Sequence, residues 1–332
     1  MLKFLTKRLL LSVVILFFVM FLVYLLISSL PTSYVETTAR ELAAVTSKTG
    51  GKNYQQWLDE LNAEYGFDKG PIEGYFVWLS SAVKGEFGDS WKWNVKVTDK
   101  FEEVIWYSFV LSLIAFIVQT LIAIPLGVVA ATKQYSLTDY TVTVLALIGI
   151  SMPTFFVATV LKMVFSVKLG WLDPFGMVTA RFNYEPGSWN WLLDVGKHMI
   201  LPALTLIIIG IGSLMRYTRT NTLEVLNADY IRTARAKGLP EKKVIGYHAF
   251  RNTLIPIVTT LGGSLPGLFS GALITETLFS IRGMGFASYH SMTAGDIPFT
   301  MFYLMFLSIL TLLGTLIADI MYAVVDPRVR VN

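Results

Sequence analysis

The chain has 332 residues, of which 54% are hydrophobic and 15% are charged, and its mean hydropathy is +0.58. This composition carries far more apolar surface than one soluble core needs, so it indicates a membrane protein and argues against a soluble globular one. The net charge of +4 lies mostly beside predicted membrane segments and argues against nucleic acid as a partner, while the absence of cysteine excludes disulfides and thiol chemistry.

Six apolar segments are long enough to span a membrane, which takes about 20 residues for a hydrocarbon core about 30 Å thick. They cover residues 9–30, 107–131, 140–167, 198–215, 253–279 and 299–325. Backbone amides inside lipid must be satisfied within each segment, so we predict six helices. Basic residues precede the first segment and are concentrated between the fourth and the fifth. By the positive-inside rule both termini are therefore cytoplasmic.

These spans divide the chain into four regions. Residues 1–30 form an N-terminal anchor helix, whose apolar stretch is too long for a signal peptide. Residues 31–106 form an external subdomain, and its last part, 95–106, has the mixed composition of a helix lying in the membrane interface. Its Trp and Tyr residues suit either a cap on lipid headgroups or a docking surface for an external protein. Residues 107–325 form a five-helix core with a cytoplasmic loop at 216–252, and 326–332 form a cytoplasmic tail.

The loop at 216–252 is much longer than a turn between two membrane helices requires, which indicates that something docks there. A short helix is predicted within it, with Asn227 or Asp229 as the N-cap, an end at Lys237 and Gly238 just beyond. Such a helix is a suitable lever, because pressure on its exposed face tilts the spans on both sides. Its cations suit an acidic groove on a partner or, alternatively, anionic lipid.

Several short motifs follow one another along the chain. The loop contains Thr233-Ala-Arg-Ala-Lys-Gly238, His248-Ala-Phe-Arg-Asn252 and Leu254-Ile-Pro256, and the rest of the chain contains Pro125-Leu-Gly127, Ser151-Met-Pro153, Glu276-Thr-Leu-Phe279, Gly283-Met-Gly285 and Asp326-Pro-Arg328. This set resembles the permease subunits of ABC importers, and more narrowly the oligopeptide and dipeptide permease family. Arg232 replaces the Glu of many other importers, which is a feature of the peptide branch.

The resemblance implies the type I ABC importer permease fold, an all-α integral membrane protein with six transmembrane helices and a coupling helix between the fourth and fifth. It assigns ATPase coupling to Tyr230, Arg232, Thr233, Ala234, Arg235, Ala236, Lys237 and Gly238. It implies as partners a homologous second permease subunit, two cytoplasmic ATPase subunits, an external substrate-binding protein and the bilayer of the cell membrane. The chain has no Gly-x-x-x-x-Gly-Lys-Ser/Thr loop, so ATP and Mg are expected on the ATPase subunits. We expect no catalytic, metal or cofactor site on this chain.

The fifth span carries the candidates for a transport pathway. Gly263, Gly267 and Gly271 recur every four residues, so on a continuous helix they share one face. That face suits either close helix packing or a pathway wall where bare backbone contacts cargo. Glu276 is an intramembrane charge near the outer end and is a candidate for an outer gate or a contact with the binding protein. The pathway candidates are Thr259, Ser264, Gly267, Ser270, Gly271, Thr275 and Glu276.

Two other classes of function are compatible with a multi-span protein. An ion-coupled secondary transporter would show paired intramembrane carboxylates or an inverted repeat, whereas this sequence has isolated acids and no internal repeat. A membrane-bound structural or sensory protein would use the cytoplasmic loop to recruit signalling partners. Within the ABC importers, a nickel chelate or an oligosaccharide is the alternative to a peptide as cargo.

Overall fold

The computed structural model describes residues 2–29, 34–46, 52–65, 70–179, 181–182 and 184–325. The predicted cytoplasmic tail at 326–332 therefore lies outside the described residues. Contacts divide the chain into two units, Met1–Ile105 with Ala287–Leu312 and Trp106–Phe286 with Leu313–Asn332.

Helices make up most of the described chain. They are α1 (Leu2–Ser28), α2 (Tyr34–Thr46), α3 (Tyr54–Tyr65), α4 (Pro71–Val83), α5 (Val97–Thr132), α6 (Leu137–Ser151), α7 (Thr154–Leu161), π1 (Lys162–Lys168), α8 (Trp189–Leu226), α9 (Asp229–Ala236), α10 (Glu241–Lys243), π2 (Val244–Ala249), α11 (Phe250–Gly262), α12 (Leu265–Phe269), α13 (Leu273–Leu278), α14 (Met284–Thr293) and α15 (Ile297–Val325). The two short strands β1 (Asp89–Ser90) and β2 (Val95–Lys96) form an antiparallel hairpin.

Four helices are each long and apolar enough to cross a membrane, namely Thr6–Ser28 of α1, α5, α8 and Ile297–Met321 of α15. Two bent pairs raise the number of candidate spans to six. The predicted helices of the first, second and sixth spans are therefore confirmed. The fourth helix is longer than predicted, because α8 continues by hydrogen-bonded turns into residues assigned to the loops on both sides.

The third span is not the continuous helix that we predicted. The chain bends by 103° between α6 and the α7–π1 segment. Met152 ends α6 with an extended backbone, at φ −79° and ψ 130°, which is the conformation that the residue before a proline prefers. Pro153 then precedes α7, where the missing amide hydrogen costs nothing.

The fifth span is broken as well, with a bend of 48° between α11 and the α12–α13 segment. Gly263 caps the end of α11, and Gly271 has a φ of +79°, in the left-handed region that ends a helix. The prediction that Gly263, Gly267 and Gly271 share one helix face is therefore wrong.

The first unit packs α1 against α4 through aromatic side chains. Tyr75 is fully buried, and its ring meets the rings of Phe17, Phe21 and Tyr24 at centroid distances of 5.7, 5.2 and 5.9 Å. Its hydroxyl donates to the Phe17 carbonyl at 3.0 Å, which satisfies the polar group of this buried side chain.

The β-hairpin of the first unit is fixed by a buried carboxylate. Asp296 accepts hydrogen bonds from the Ser90 hydroxyl at 2.5 Å and from the backbone amides of Trp91 and Lys92 at 3.2 and 3.3 Å. Since α5 begins at Val97, directly after β2, residues 97–106 of the predicted interfacial helix form the first turns of α5, and their position in the membrane interface stays a prediction. Between α13 and α15 the chain forms a further helix, α14.

The second unit packs α6 closely against α8. A Cβ atom added to Gly212 of α8 would lie 2.6 Å from the Ala146 carbonyl oxygen, so only glycine permits this approach. Nearer the other end of the contact, Arg219 donates two hydrogen bonds to Asp139 at 2.7 and 2.9 Å. Tight packing and a largely buried ion pair together join these two helices.

Candidate functional site

The loop helix α9 spans Asp229–Ala236, close to the predicted bounds. Gly238 follows it with a φ of +75°, which is the left-handed ending that its sequence predicted. The predicted cap by Asn227 or Asp229 is wrong: Ala228 occupies the N-cap position without a side-chain hydrogen bond. Asn227 instead donates to the Leu223 carbonyl of α8 at 3.0 Å.

One face of α9 is buried and anchors the helix. Ile231 and Ala234 are 0% and 7% exposed, and they pack with Val244 and Ala249 of π2 in one apolar cluster. Burial of an isoleucine side chain contributes about 1.5–3 kcal/mol, so this contact holds a helix of two turns firmly in place. This packing joins α9 to π2, which continues into α11.

The opposite face of α9 is exposed and basic. Six of the residues predicted for coupling are exposed on this face or just beyond it: Tyr230, Arg232, Thr233, Arg235, Ala236 and Lys237. Arg235 donates to Glu241 at 2.7 and 3.2 Å, and these hydrogen bonds raise the pKa of its guanidinium, so it remains charged. Ala234 is the exception among the predicted coupling residues, because it belongs to the buried anchor.

A cleft of about 580 Å³ lies among α5, α8 and the broken fifth segment of the second unit. Three of the predicted pathway residues line it: Ser264, Gly267 and Gly271. The sequence reasoning missed the side chains contributed by α5 and α8, which include Ser112, Gln119, Ser213 and Tyr217. None of the described residues that line the cleft is charged.

The remaining pathway candidates lie away from the lining of this cleft. Thr259 donates to the Ile255 carbonyl at 3.1 Å, and Ser270 donates to the Gly267 carbonyl at 3.3 Å. Thr275 and Glu276 are fully buried. The Glu276 carboxylate is therefore enclosed by protein, and its role at an outer gate or in contact with the binding protein stays a prediction.

Glu276 is the centre of a hydrogen-bonded cluster. Its Oε1 accepts from the Ser108 hydroxyl of α5 at 2.6 Å and from the Ala272 amide at 2.9 Å, and its Oε2 accepts from the Phe286 amide at 2.8 Å. The Ser108 oxygen in turn accepts from the Met284 amide at 2.7 Å. The carboxylate therefore ties α5, the turn before α13 and the start of α14 together.

Three glycines make room for this cluster. A Cβ atom on Gly271 would overlap the amide nitrogen of Gly285, and one on Gly283 would lie 2.8 Å from the Glu276 carboxyl carbon. A Cβ atom on Gly285 would lie 2.7 Å from the Leu273 amide nitrogen. The motifs Glu276-Thr-Leu-Phe279 and Gly283-Met-Gly285 are thus two halves of one structural unit.

Lys162, the charge of the third span, is also held by protein groups. Its ammonium donates to the Leu278 carbonyl at 2.7 Å and lies 3.9 Å from the centre of the Phe175 ring. A carbonyl and a cation–π contact therefore stabilise this charge within the protein.

The helical architecture and the apolar spans define the class: an all-helical, multi-pass membrane protein. Residues 123–331 match the family described as binding-protein-dependent transport system inner membrane component. The chain belongs to this family of transport permeases.

Full-length relatives agree with this assignment. The chain is 36% identical to the oligopeptide transport system permease protein AppB of Bacillus subtilis, over 82% of this chain and 84% of that protein. It is 35% identical to the dipeptide transport system permease protein DppB of Escherichia coli K12, over the same shares. The di/tripeptide transport system permease protein DppB of Pseudomonas aeruginosa is 33% identical over 99% of both chains. The resemblance inferred from the motifs is therefore confirmed.

Proposed function

We propose that this chain is the membrane-spanning permease subunit of an ATP-driven importer of peptides. The peptide cargo is proposed because the relatives above are named for oligopeptides, dipeptides and tripeptides. Nickel chelates and oligosaccharides are less favoured, since none of those three names refers to them. An ion-coupled carrier is not favoured either, because Glu276 is held by a serine and two backbone amides, with no second carboxylate among these bonds.

The single observation that carries the mechanism is the two-faced helix α9. Its apolar face is fixed to π2, while Arg232 and Lys237 remain exposed on the other side. We propose that an acidic cleft on a cytoplasmic ATPase subunit receives this basic face. Closure of the ATPase would then push α9 as a rigid body and move α8 and α11, between which it lies in the chain.

The proposed assembly contains a homologous second permease, two ATPase subunits that bind ATP and Mg, and an external substrate-binding protein. Each permease would contribute half of the pathway, and the cleft would be the wall contributed by this chain. We propose six spans, formed by α1, α5, α6 with α7 and π1, α8, α10 through α13, and α15. Both termini and α9 would then face the cytoplasm, and residues 31–106 would face outward between the anchor and the core at 107–325.

The test replaces Arg235 by glutamate in the complete importer. We expect Arg235→Glu to abolish peptide uptake, with normal membrane insertion, because it places a negative charge against an acidic groove. Lys133→Glu is the matched control, since Lys133 is exposed beyond the end of α5 and on the same proposed side. Uptake should stay near the level of the unmodified importer in this control.

Arg235 also pairs with Glu241, so the intramolecular role must be separated from coupling. The double variant Arg235→Glu, Glu241→Arg restores the internal pair and leaves position 235 acidic. Uptake should remain lost in it. Restored uptake, or an importer purified in mild detergent that contains no ATPase subunit, would refute the coupling role.

A further inference from the structure

Gln119 occupies an unusual position in the second unit. It is the one carboxamide in the predicted span 107–131, and it lines the cleft on the same face of α5 as Ser112, seven residues earlier. Within the described parts of the chain, its side chain makes no hydrogen bond. The side chain is partly exposed and lines the cleft, so its carboxamide is accessible to a group that enters the cleft.

Gly210 of α8 fixes where this carboxamide lies. A Cβ atom on Gly210 would overlap the Oε1 atom of Gln119 and would lie 2.6 Å from its Cδ atom. The three atoms nearest to that Cβ position all belong to Gln119. Gly210 has no side chain, and the Gln119 carboxamide occupies the space where one would lie.

The wall of the cleft is mainly apolar, and its polar groups are uncharged. It combines aliphatic and aromatic groups with the hydroxyls of Ser213, Tyr217, Thr260 and Ser264. A hydroxyl group donates and accepts through one oxygen atom, whereas a carboxamide has an acceptor oxygen and a donor nitrogen side by side. This pair matches the carbonyl and amide groups that every peptide backbone carries, whatever its side chains.

We propose that Gln119, seated against Gly210, is a cargo subsite that exchanges hydrogen bonds with a backbone amide of the translocating peptide. This inference depends on the peptide-importer function proposed above. Because the group is neutral and bidentate, it favours amide-containing cargo without selecting for the charge of its side chains. A carboxylate at the same place would impose such a selection.

The experiment uses the complete importer reconstituted in liposomes, with saturating amounts of loaded binding protein, and measures uptake and ATP hydrolysis together. The cargoes are tri-alanine and its analogues with a central lysine or glutamate. We expect Gln119→Ala to lower uptake of all three peptides about fivefold or more, with stimulated ATP hydrolysis within about twofold of normal. We expect Gln119→Glu to favour the lysine peptide over the glutamate peptide by roughly tenfold.

Gly210→Ala provides an independent test because it acts through Gln119. It should reproduce the loss seen in Gln119→Ala, and it should have little further effect when Gln119 is already alanine. Gly196→Ala is the control in the same helix, since an added Cβ there meets no atom within 4 Å. This variant should transport all three peptides normally.

Two results would overturn the subsite. One is a Gln119→Glu importer that transports the lysine and glutamate peptides equally well. The other is a parallel fall of uptake and ATP hydrolysis in Gln119→Ala, which indicates a packing role only. Failure of the unmodified importer to take up any of the three peptides would instead refute the proposed peptide function.

Discussion

Replacement of Glu276 by glutamine should break one hydrogen bond of the cluster around this residue and keep the others. The carboxylate is fully buried and accepts at Oε1 from Ser108 and Ala272, and at Oε2 from Phe286. The glutamine oxygen can replace Oε1, which accepts two hydrogen bonds, so the NH₂ group takes the place of Oε2. There it faces the Phe286 amide, and because both groups are donors no hydrogen bond forms. Hydrogen bonds to charged groups contribute about 1.5–3 kcal/mol, so the local cost is of this order.

Residue-resolved hydrogen exchange on the purified complex measures this loss directly. A cost of about 1.5–3 kcal/mol corresponds to a roughly 10- to 150-fold loss of protection at the Phe286 amide. The Ala272 amide should stay protected in Glu276→Gln and lose protection in Glu276→Ala. Glu241→Gln is the matched control, because that carboxyl is 54% exposed and its ion pair contributes little. Equal protection of Phe286 in Glu276→Gln and in the unmodified protein would refute the bridging role of the carboxylate.

Three other substitutions test the packing of the second unit. Asp139→Asn should destabilise the purified permease by about 3–5 kcal/mol in denaturant unfolding, because it leaves the partly buried Arg219 unpaired, and the double variant Asp139→Asn, Arg219→Gln should recover part of this loss. An equal loss in both variants would show that the pair is not coupled. Gly271→Ala should sharply lower the yield of folded protein in detergent, because the residue has a φ of +79° and the added Cβ overlaps Gly285, and a normal yield would contradict the crowding described for this turn. Lys162→Met should lower the melting temperature by several degrees through loss of the hydrogen bond to the Leu278 carbonyl, and an unchanged melting temperature would count against a structural role for this bond.

The sequence was most informative where structure depends on local pattern. Long apolar segments predicted the helices of the first, second and sixth spans, because a spanning helix satisfies its own backbone and depends little on its neighbours. The ending of α9 at Gly238 was also predicted, since a left-handed residue after a helix is a local preference of glycine. The motifs further predicted the permease family, which the relatives confirm.

The errors in the predicted spans arose where local signals compete. Hydropathy alone predicted straight helices over 140–167 and 253–279, although each contains residues that break a helix. The 103° bend lies at Met152 and Pro153, where the residue before the proline takes its preferred extended conformation. Hydropathy measures how favourably a segment transfers from water into lipid, and it carries no information on the direction of the helix axis. It therefore predicted that these segments exist but not that they bend.

Contacts between distant residues were decided only by the tertiary structure. Ser108 and Glu276 are 168 residues apart, and Asp139 and Arg219 are 80 apart, so no local pattern links either pair. The same holds for Gln119. In the sequence it is a polar residue in an apolar span, and only the tertiary structure shows that it packs against Gly210 of another helix and lines the cleft. Helices follow from local periodicity and solvation, whereas a site forms only when packing brings side chains from several helices together.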